Sequence, residues 1–153
     1  MIKDILLAGV YAAGAAGFCA FYFNTNKFDV LWGALLGALG WIVYVIIQKT
    51  GGSAMYAYFA GAFSVAIASE FLAYLIKNPA TVYLLPGLLP LVPGGGMFQT
   101  MRAAVSGNMD TALSLGYATL GAAGAIALGI AIASSIARLF SKFYGRKSKT
   151  QTA

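Results

Sequence analysis

Residues 86–101, with the sequence PGLLPLVPGGGMFQTM, interrupt an apolar segment that is otherwise long enough to span a membrane. Pro86, Pro90 and Pro93 each lack a backbone N–H, and each ring clashes with the carbonyl four residues earlier, so a continuous helix cannot form here. Unpaired backbone groups are tolerated at bilayer depth only where protein buries them or where they line a watery cavity. The segment therefore predicts a broken helix around which the other helices pack.

The composition is that of an integral membrane protein. Hydrophobic residues make up 60% of the 153 residues, charged residues make up 9%, and the mean hydropathy is +0.80. These values lie outside the usual range of soluble domains. The length allows about five spans of roughly 20 residues each, joined by short turns. We expect an all-α integral membrane protein with five transmembrane helices, the fourth of which is broken at the Pro/Gly-rich segment.

Polar turns place the five spans at about residues 1–23, 30–47, 54–76, 82–105 and 111–137. The first span also resembles a signal peptide, but Asp4 neutralises its short basic region and the apolar stretch continues to Phe23. A retained helix is therefore the preferred interpretation. We expect a single five-span membrane domain over residues 1–140, followed by a basic, disordered cytoplasmic tail over residues 141–153.

The positive charge predicts topology rather than nucleic-acid binding. Ten Lys and Arg against four acidic residues give a formal charge of +6. With five spans, seven of these cations lie on the side of the C-terminus and three on the other side. Because cytoplasmic flanks are enriched in Lys and Arg, we expect a cytoplasmic C-terminus and an external N-terminus. No nucleic-acid-binding motif accompanies the charge, so no nucleic-acid partner is expected.

Glu70 is the strongest candidate for a functional ionisable residue inside a span. An ionised carboxylate costs about 3 kcal/mol in hydrocarbon, so such residues usually face the bundle interior or a cavity. We expect Glu70 to be the proton-coupling residue of a transport cycle. The alternative is an interfacial side chain that reaches the headgroups, because Glu70 lies about 9 Å from the end of its span.

The second half of the broken span is expected to begin at Met97, directly after the triple glycine. Its unpaired N–H groups would face the break and suit a carboxylate, as at the half-helices of several transporters. Arg102 near the far end is expected to be a charge partner for substrate or lipid phosphate. The alternative is a proline-kinked helix or an exposed loop. The predicted substrate-binding residues are Pro90, Pro93, Gly94, Gly95, Gly96, Gln99 and Thr100.

Small residues recur on two other spans. Gly33 and Gly37 form a GxxxG pattern in the second span, and Gly121 and Gly129 belong to a small stripe in the fifth. Such patterns let helices approach closely in lipid. Packing within the chain is the preferred interpretation, and self-association or a partner subunit is the alternative.

The sequence does not indicate an enzyme or a metalloprotein. It contains no histidine, which is the commonest ligand for transition metals, and a single cysteine, Cys19. No span contains paired carboxylates, and no serine nucleophile with a base is recognisable. We therefore expect no metal site, no catalytic residues and no cofactor.

Residues 78–101, NPATVYLLPGLLPLVPGGGMFQTM, and residues 119–136, TLGAAGAIALGIAIASSI, resemble the C-terminal membrane half of the ThrE-type threonine/serine exporter family of bacteria. The length and the central PLVPGG are similar to the YjjB-like small subunit of the split form, so the resemblance covers essentially the whole chain. The matching core positions are Pro90, Pro93, Gly94 and Gly95.

The resemblance implies a subunit of a proton-coupled secondary exporter in the bacterial cytoplasmic membrane. The cargo would be threonine and serine, as in fused members, or a dicarboxylate such as succinate, as in a split pair. The implied partner is a larger five-span YjjP-like membrane subunit, with a homo-oligomer as the other arrangement. The alternative function is a non-transporting interaction subunit whose break docks another protein.

Overall fold

The computed structural model describes the backbone of residues 2–149 and the side chains of residue 3 and residues 5–139. Over this part of the chain the structure is helical and contains no strand. The helices are α1 (Ile2–Tyr22), α2 (Lys27–Lys49), α3 (Ala54–Ile76), α4 (Thr81–Leu88), α5 (Gly94–Val105) and α6 (Met109–Lys149), and a 3-10 turn (Leu89–Leu91) follows α4.

Four of the described helices, α1, α2, α3 and α6, are long and apolar enough to cross a membrane. The segments Thr81–Leu91 and Gly94–Val105 form a pair that bends by 49°. This pair makes a fifth span if it is counted as one broken helix, and a re-entrant loop has the same shape. The expected all-α membrane architecture is therefore found with four to five spans, and the number five stays a prediction.

Helix α4 and the 3-10 turn after it pack in parallel against α2. A Cβ added at Gly33 would lie 3.3 Å from Pro86 Cβ, and one added at Gly37 would lie 3.4 Å from Pro90 Cγ. From the first contact to the second, the residue number rises by four in both segments, so the two segments run in the same direction. The prolines of α4 and the 3-10 turn thus pack against the two glycines of the GxxxG pattern of α2. This is the packing within one chain that was expected for these small residues.

The core lies between α2, α3 and the broken span. Leu91 is fully buried because Gly40 and Gly61 leave room for it: a Cβ at either glycine would lie 3.1 Å from a Leu91 methyl carbon. The same two glycines let α2 and α3 approach, since a Cβ at Gly61 would lie 3.0 Å from the Gly40 carbonyl oxygen. The cluster of buried side chains comprises Leu36, Ala62, Val65, Leu72, Tyr83 and Leu91.

Helix α6 packs in parallel along α3. A Cβ at Gly121 would contact Met55, and one at Gly129 would lie 2.8 Å from the Phe59 carbonyl oxygen. The small stripe of the last span therefore packs inside the chain. The helix continues to Lys149 through residues that were expected to form the tail, and residues 150–153 lie outside the described part of the chain. The division of the chain at residue 140 stays a prediction.

Candidate functional site

The break expected from the prolines is present in the fourth apolar segment. Pro86 lies inside α4, Pro90 lies in the 3-10 turn, and Pro93 is the N-cap of α5. Helix α5 begins at Gly94, so the expected start at Met97 was three residues too late. The ring of Pro93 fixes φ near its observed −76°, and its ψ of 51° turns the chain directly into the helix. The triple glycine is therefore the first turn of α5.

The start of α5 is open. A Cβ at Gly94 or Gly95 would meet no atom of the described residues within 4 Å. The Gly94 N–H donates to the Val92 carbonyl at 2.7 Å, and a helix leaves its first N–H groups without partners inside the helix. The geometry thus leaves room for a ligand or another chain at this helix start.

Helix α5 contacts α6 and none of the other described helices. Gly96 lies against Thr119, and Thr100 Oγ1 donates to the Gly96 carbonyl at 2.8 Å. Gln99 and Arg102 are exposed, and every residue of α5 keeps part of its surface exposed. The substrate-binding role of residues 90, 93–96, 99 and 100 and the charge-partner role of Arg102 stay predictions.

Glu70 lines a groove of about 790 Å³ between α3 and α6. Arg138 of α6 and Asn78 of the turn after α3 line the same groove. The rest of the lining is largely apolar and consists of Ile67, Phe71, Ala73, Tyr74, Ala80, Ala133, Ile136 and Ala137. The half-buried Glu70 therefore lies on a cavity, which fits the cost of an ionised carboxylate in hydrocarbon. Its role in proton coupling stays a prediction.

Opposite charges on one largely apolar groove suit a zwitterion. A carboxylate can accept charge-assisted hydrogen bonds from an ammonium group, and a guanidinium can bind a carboxylate through two parallel bonds. From the sequence, Arg138 was interpreted only as part of the basic topology signal. The structure places it on the same groove as Glu70 because α6 runs parallel to α3 and carries Arg138 at the end of the bundle where α3 ends.

Glu70 and the glycine-rich start of α5 lie at different depths. Gly96 meets Thr119, whereas Glu70 shares its groove with Ala133, which is about 21 Å further along α6 at 1.5 Å per residue. The predicted site residues therefore do not converge on one site. The reason is that α5 follows α6 away from the bundle instead of returning to α3.

Three polar residues meet between α2 and α4, and we call them the α2–α4 junction: Asp29, Asn78 and Tyr83. Asp29 is only 5% exposed and Tyr83 is fully buried. Tyr83 Oη donates to Asp29 Oδ1 at 2.7 Å, and Asn78 Nδ2 donates to Asp29 Oδ2 and to Tyr83 Oη, at 3.2 Å in each case. A buried carboxylate with two donors is a satisfied polar group.

Sequence reasoning missed the junction. It placed Asp29 in a polar turn, whereas α2 begins at Lys27 and Asp29 lies in its first turn. The sequence features that could have indicated the junction are Asp29, directly before an apolar span, and Asn78 and Tyr83, at the start of the proline-rich segment. Spacing along the chain does not reveal that these residues meet.

The sequence from residue 8 to residue 136 matches the model of a family described as "Threonine/Serine exporter, ThrE". The chain belongs to the threonine/serine exporter family. As a member of this family it is a multi-pass membrane exporter and not an enzyme, so the resemblance noted in its sequence is confirmed. Comparison with curated proteins and comparison with solved structures each found no match.

The part of this exporter that matches the family model includes Glu70 and the α2–α4 junction. It also includes the break and all of α5, and it ends two residues before Arg138. Both the groove and the proline-rich break therefore lie essentially within the family domain.

Proposed function

We propose that this exporter moves small carboxylate-bearing metabolites out of the bacterial cytoplasm, with threonine and serine as the preferred cargo and succinate as a further candidate. The observation that carries the proposal is the groove in which Glu70 and Arg138 present opposite charges between largely apolar walls. Its volume of about 790 Å³ lies within the range of small-molecule sites.

The chemistry of the groove favours a hydroxy amino acid. The ammonium group would bind the Glu70 carboxylate, the substrate carboxylate would bind Arg138, and the hydroxyl group would bind the Asn78 amide. The apolar walls lower the local dielectric constant and strengthen both charged contacts. A dicarboxylate would be repelled by an ionised Glu70, so it fits this groove less well.

Glu70 would also provide proton coupling. An ionised Glu70 holds the ammonium group, and a protonated Glu70 releases it. Proton entry from the outside would then displace the cargo outward, and proton release to the cytoplasm would prepare the site for the next molecule. Export is thereby coupled to inward proton flow.

The groove lies at the bundle end that carries Lys27, Lys77 and Arg138. Lys27 begins α2, Lys77 follows α3, and Arg138 lies on the same groove as Asn78. Cations of short loops favour the cytoplasmic side. This arrangement supports an inner-membrane protein with a cytoplasmic C-terminus and an external N-terminus, in which cargo enters the groove from the cytoplasm.

A five-span YjjP-like subunit or a second copy of the chain would complete the transporter. Helix α5 supports this proposal because Met97, Phe98, Met101 and Val105 are exposed, with Val105 91% exposed. The same observation favours a second function, that of a non-transporting interaction subunit. Because both functions would bind the partner through α5, Gly95→Leu is expected to weaken co-purification of the partner in either case, and only efflux of cargo separates the two functions.

Reconstitution in lipid vesicles tests the proposed function. The chain would be reconstituted alone and together with a five-span partner, and efflux of labelled threonine, serine and succinate would be followed with and without a pH gradient. Gradient-dependent efflux of threonine or serine supports the proposal. Efflux that requires the partner supports a split exporter, and partner binding without efflux of any of the three supports the interaction subunit.

A further inference from the structure

We propose that Asp29, Asn78 and Tyr83 are positioning residues that transmit the occupancy of the groove to the first half of the broken span. The inference rests on the proposed function, because it takes the groove to be the substrate site. It assigns a role to a polar cluster of which only Asn78 also takes part in the proposed binding of cargo.

Asn78 belongs to the groove and to the junction at the same time. It lines the groove together with Glu70 and Arg138, and its Nδ2 lies 3.2 Å from both Asp29 Oδ2 and Tyr83 Oη. A side-chain amide has two N–H donors. A hydroxyl or carboxylate oxygen bound in the groove would therefore compete with Asp29 for the amide of Asn78.

The junction fixes the start of α4. Tyr83 is the third residue of α4, and Asn78 lies in the turn that joins α3 to α4. The residue before Asn78, Lys77, adopts a left-handed conformation with a φ of 62°. Further along, α4 packs closely over small residues, since Gly33 faces Pro86 and a Cβ at Gly87 would lie 2.8 Å from a Val65 methyl carbon. Loss of the Asn78 contact would leave the start of α4 held on Asp29 by the Tyr83 hydrogen bond alone.

Two buried polar atoms near the junction, Trp32 Nε1 and Ser69 Oγ, have no hydrogen-bond partner among the described side chains and backbone. Trp32 lies one turn after Asp29 on α2. Val65 on α3 faces Gly87 on α4. One turn along from that contact, Ser69 follows Val65 and Tyr83 precedes Gly87, so Ser69 and Tyr83 are at the same level of the bundle. Buried polar atoms without partners are destabilising. A second arrangement of α4 that paired either atom would remove this cost.

Binding of cargo would change the hydrogen-bond partner of the Asn78 amide. Without cargo, the Asn78 amide donates to Asp29 and α4 is held on α2. With cargo in the groove, the amide turns to the substrate oxygen, Asp29 keeps only the Tyr83 donor, and the start of α4 shifts. Because α4 leads directly into the 3-10 turn and Pro93, the shift reaches the break. Substrate binding and the movement of the broken span are then one coupled event.

The test uses the full chain in lipid vesicles with Cys19→Ser and a single new cysteine, Thr81→Cys, which carries a fluorescent label at the exposed start of α4. Addition of L-threonine is expected to change the emission of the label. In Tyr83→Phe, which keeps the ring and removes only the hydroxyl, the response is expected to fall at least fivefold, and the dissociation constant for threonine is expected to change less than threefold. Tyr44→Phe is the matched control, because its hydroxyl bonds to Gln48 near the other end of α2.

The outcomes separate the two proposals. Threonine binding with an unchanged label response in Tyr83→Phe overturns the role of the junction and leaves the groove intact. Binding that falls in parallel with the response also overturns it, because the junction would then only support the fold. A wild-type protein that binds none of threonine, serine and succinate overturns both the junction and the proposed function.

Discussion

Tyr83 donates a 2.7 Å hydrogen bond to Asp29 across 54 residues of sequence, and it thereby ties the start of α4 to the first turn of α2. Asp29 is 5% exposed and its other oxygen accepts from Asn78. This contact places a carboxyl group in the protein interior, next to Asn78 on the wall of the groove. In the proposal above, the same contact links the groove to the start of α4.

Removal of the Asp29 carboxylate is expected to destabilise the fold. Asp29→Ala leaves the buried Tyr83 hydroxyl without its acceptor, which costs about 1–3 kcal/mol, and it removes one of the two acceptors of the Asn78 amide. Asp29→Asn keeps one acceptor oxygen and is expected to cost less. Thermal unfolding in detergent measures both variants, and equal midpoints for Asp29→Ala and the wild type would show that the contact contributes no stability.

Glu70→Gln is expected to abolish the response of export to the pH gradient and to slow threonine efflux at least tenfold, because the amide neither binds a proton nor pairs with an ammonium group. The fold should be retained, since the side chain is half-buried at the groove. Asp110→Asn, at the exposed first turn of α6, is the control and should leave efflux unchanged. Efflux by Glu70→Gln with the wild-type dependence on pH would contradict the proposed coupling.

Arg138 and Arg102 distinguish the groove from the break as the binding site. Arg138→Ala is expected to raise the half-saturating threonine concentration at least tenfold, equivalent to about 1.4 kcal/mol of lost binding, and Arg138→Lys should recover part of it. Arg102→Ala, on the exposed side of α5, is expected to change it less than twofold. A larger effect of Arg102→Ala would move the site to the break.

Two glycines of α6 are expected to respond oppositely to alanine. A Cβ at Gly129 would lie 2.8 Å from the Phe59 carbonyl oxygen and 3.1 Å from the Phe63 amide nitrogen, so Gly129→Ala forces α3 and α6 apart at a cost of about 1–3 kcal/mol. A Cβ at Gly124 would meet nothing within 4 Å, so Gly124→Ala should gain about 0.5–1 kcal/mol from helix propensity.

Thermal unfolding midpoints of the two alanine variants, measured in the same detergent, test this packing. The expected order is Gly129→Ala below the wild type and Gly124→Ala at or above it. The reverse order would mean that α6 does not pack on α3 through its small stripe.

The sequence by itself determined the class of the protein and the approximate location of its apolar helices, but not the start of α5 or the end of α6. The third span was expected at residues 54–76 and is found at Ala54–Ile76, and the second was expected at 30–47 and is found at Lys27–Lys49. These features follow from local physics, because lipid accepts only backbone whose polar groups are paired within the segment. The prolines indicated a break in this segment, but its position was decided by the structure, because Pro86 lies inside α4 and the chain leaves the helix only at Val92 and Pro93.

Only the tertiary structure decided which polar groups share a site. Glu70 lies on one groove with Arg138 and is separated from Arg102 and the triple glycine, and Asp29 meets Tyr83. The reason is that the register between helices is set by close contacts at small residues such as Gly33 and Gly129, where backbones or rings approach directly. Such contacts depend on three-dimensional packing, and the spacing of residues along one chain does not contain them.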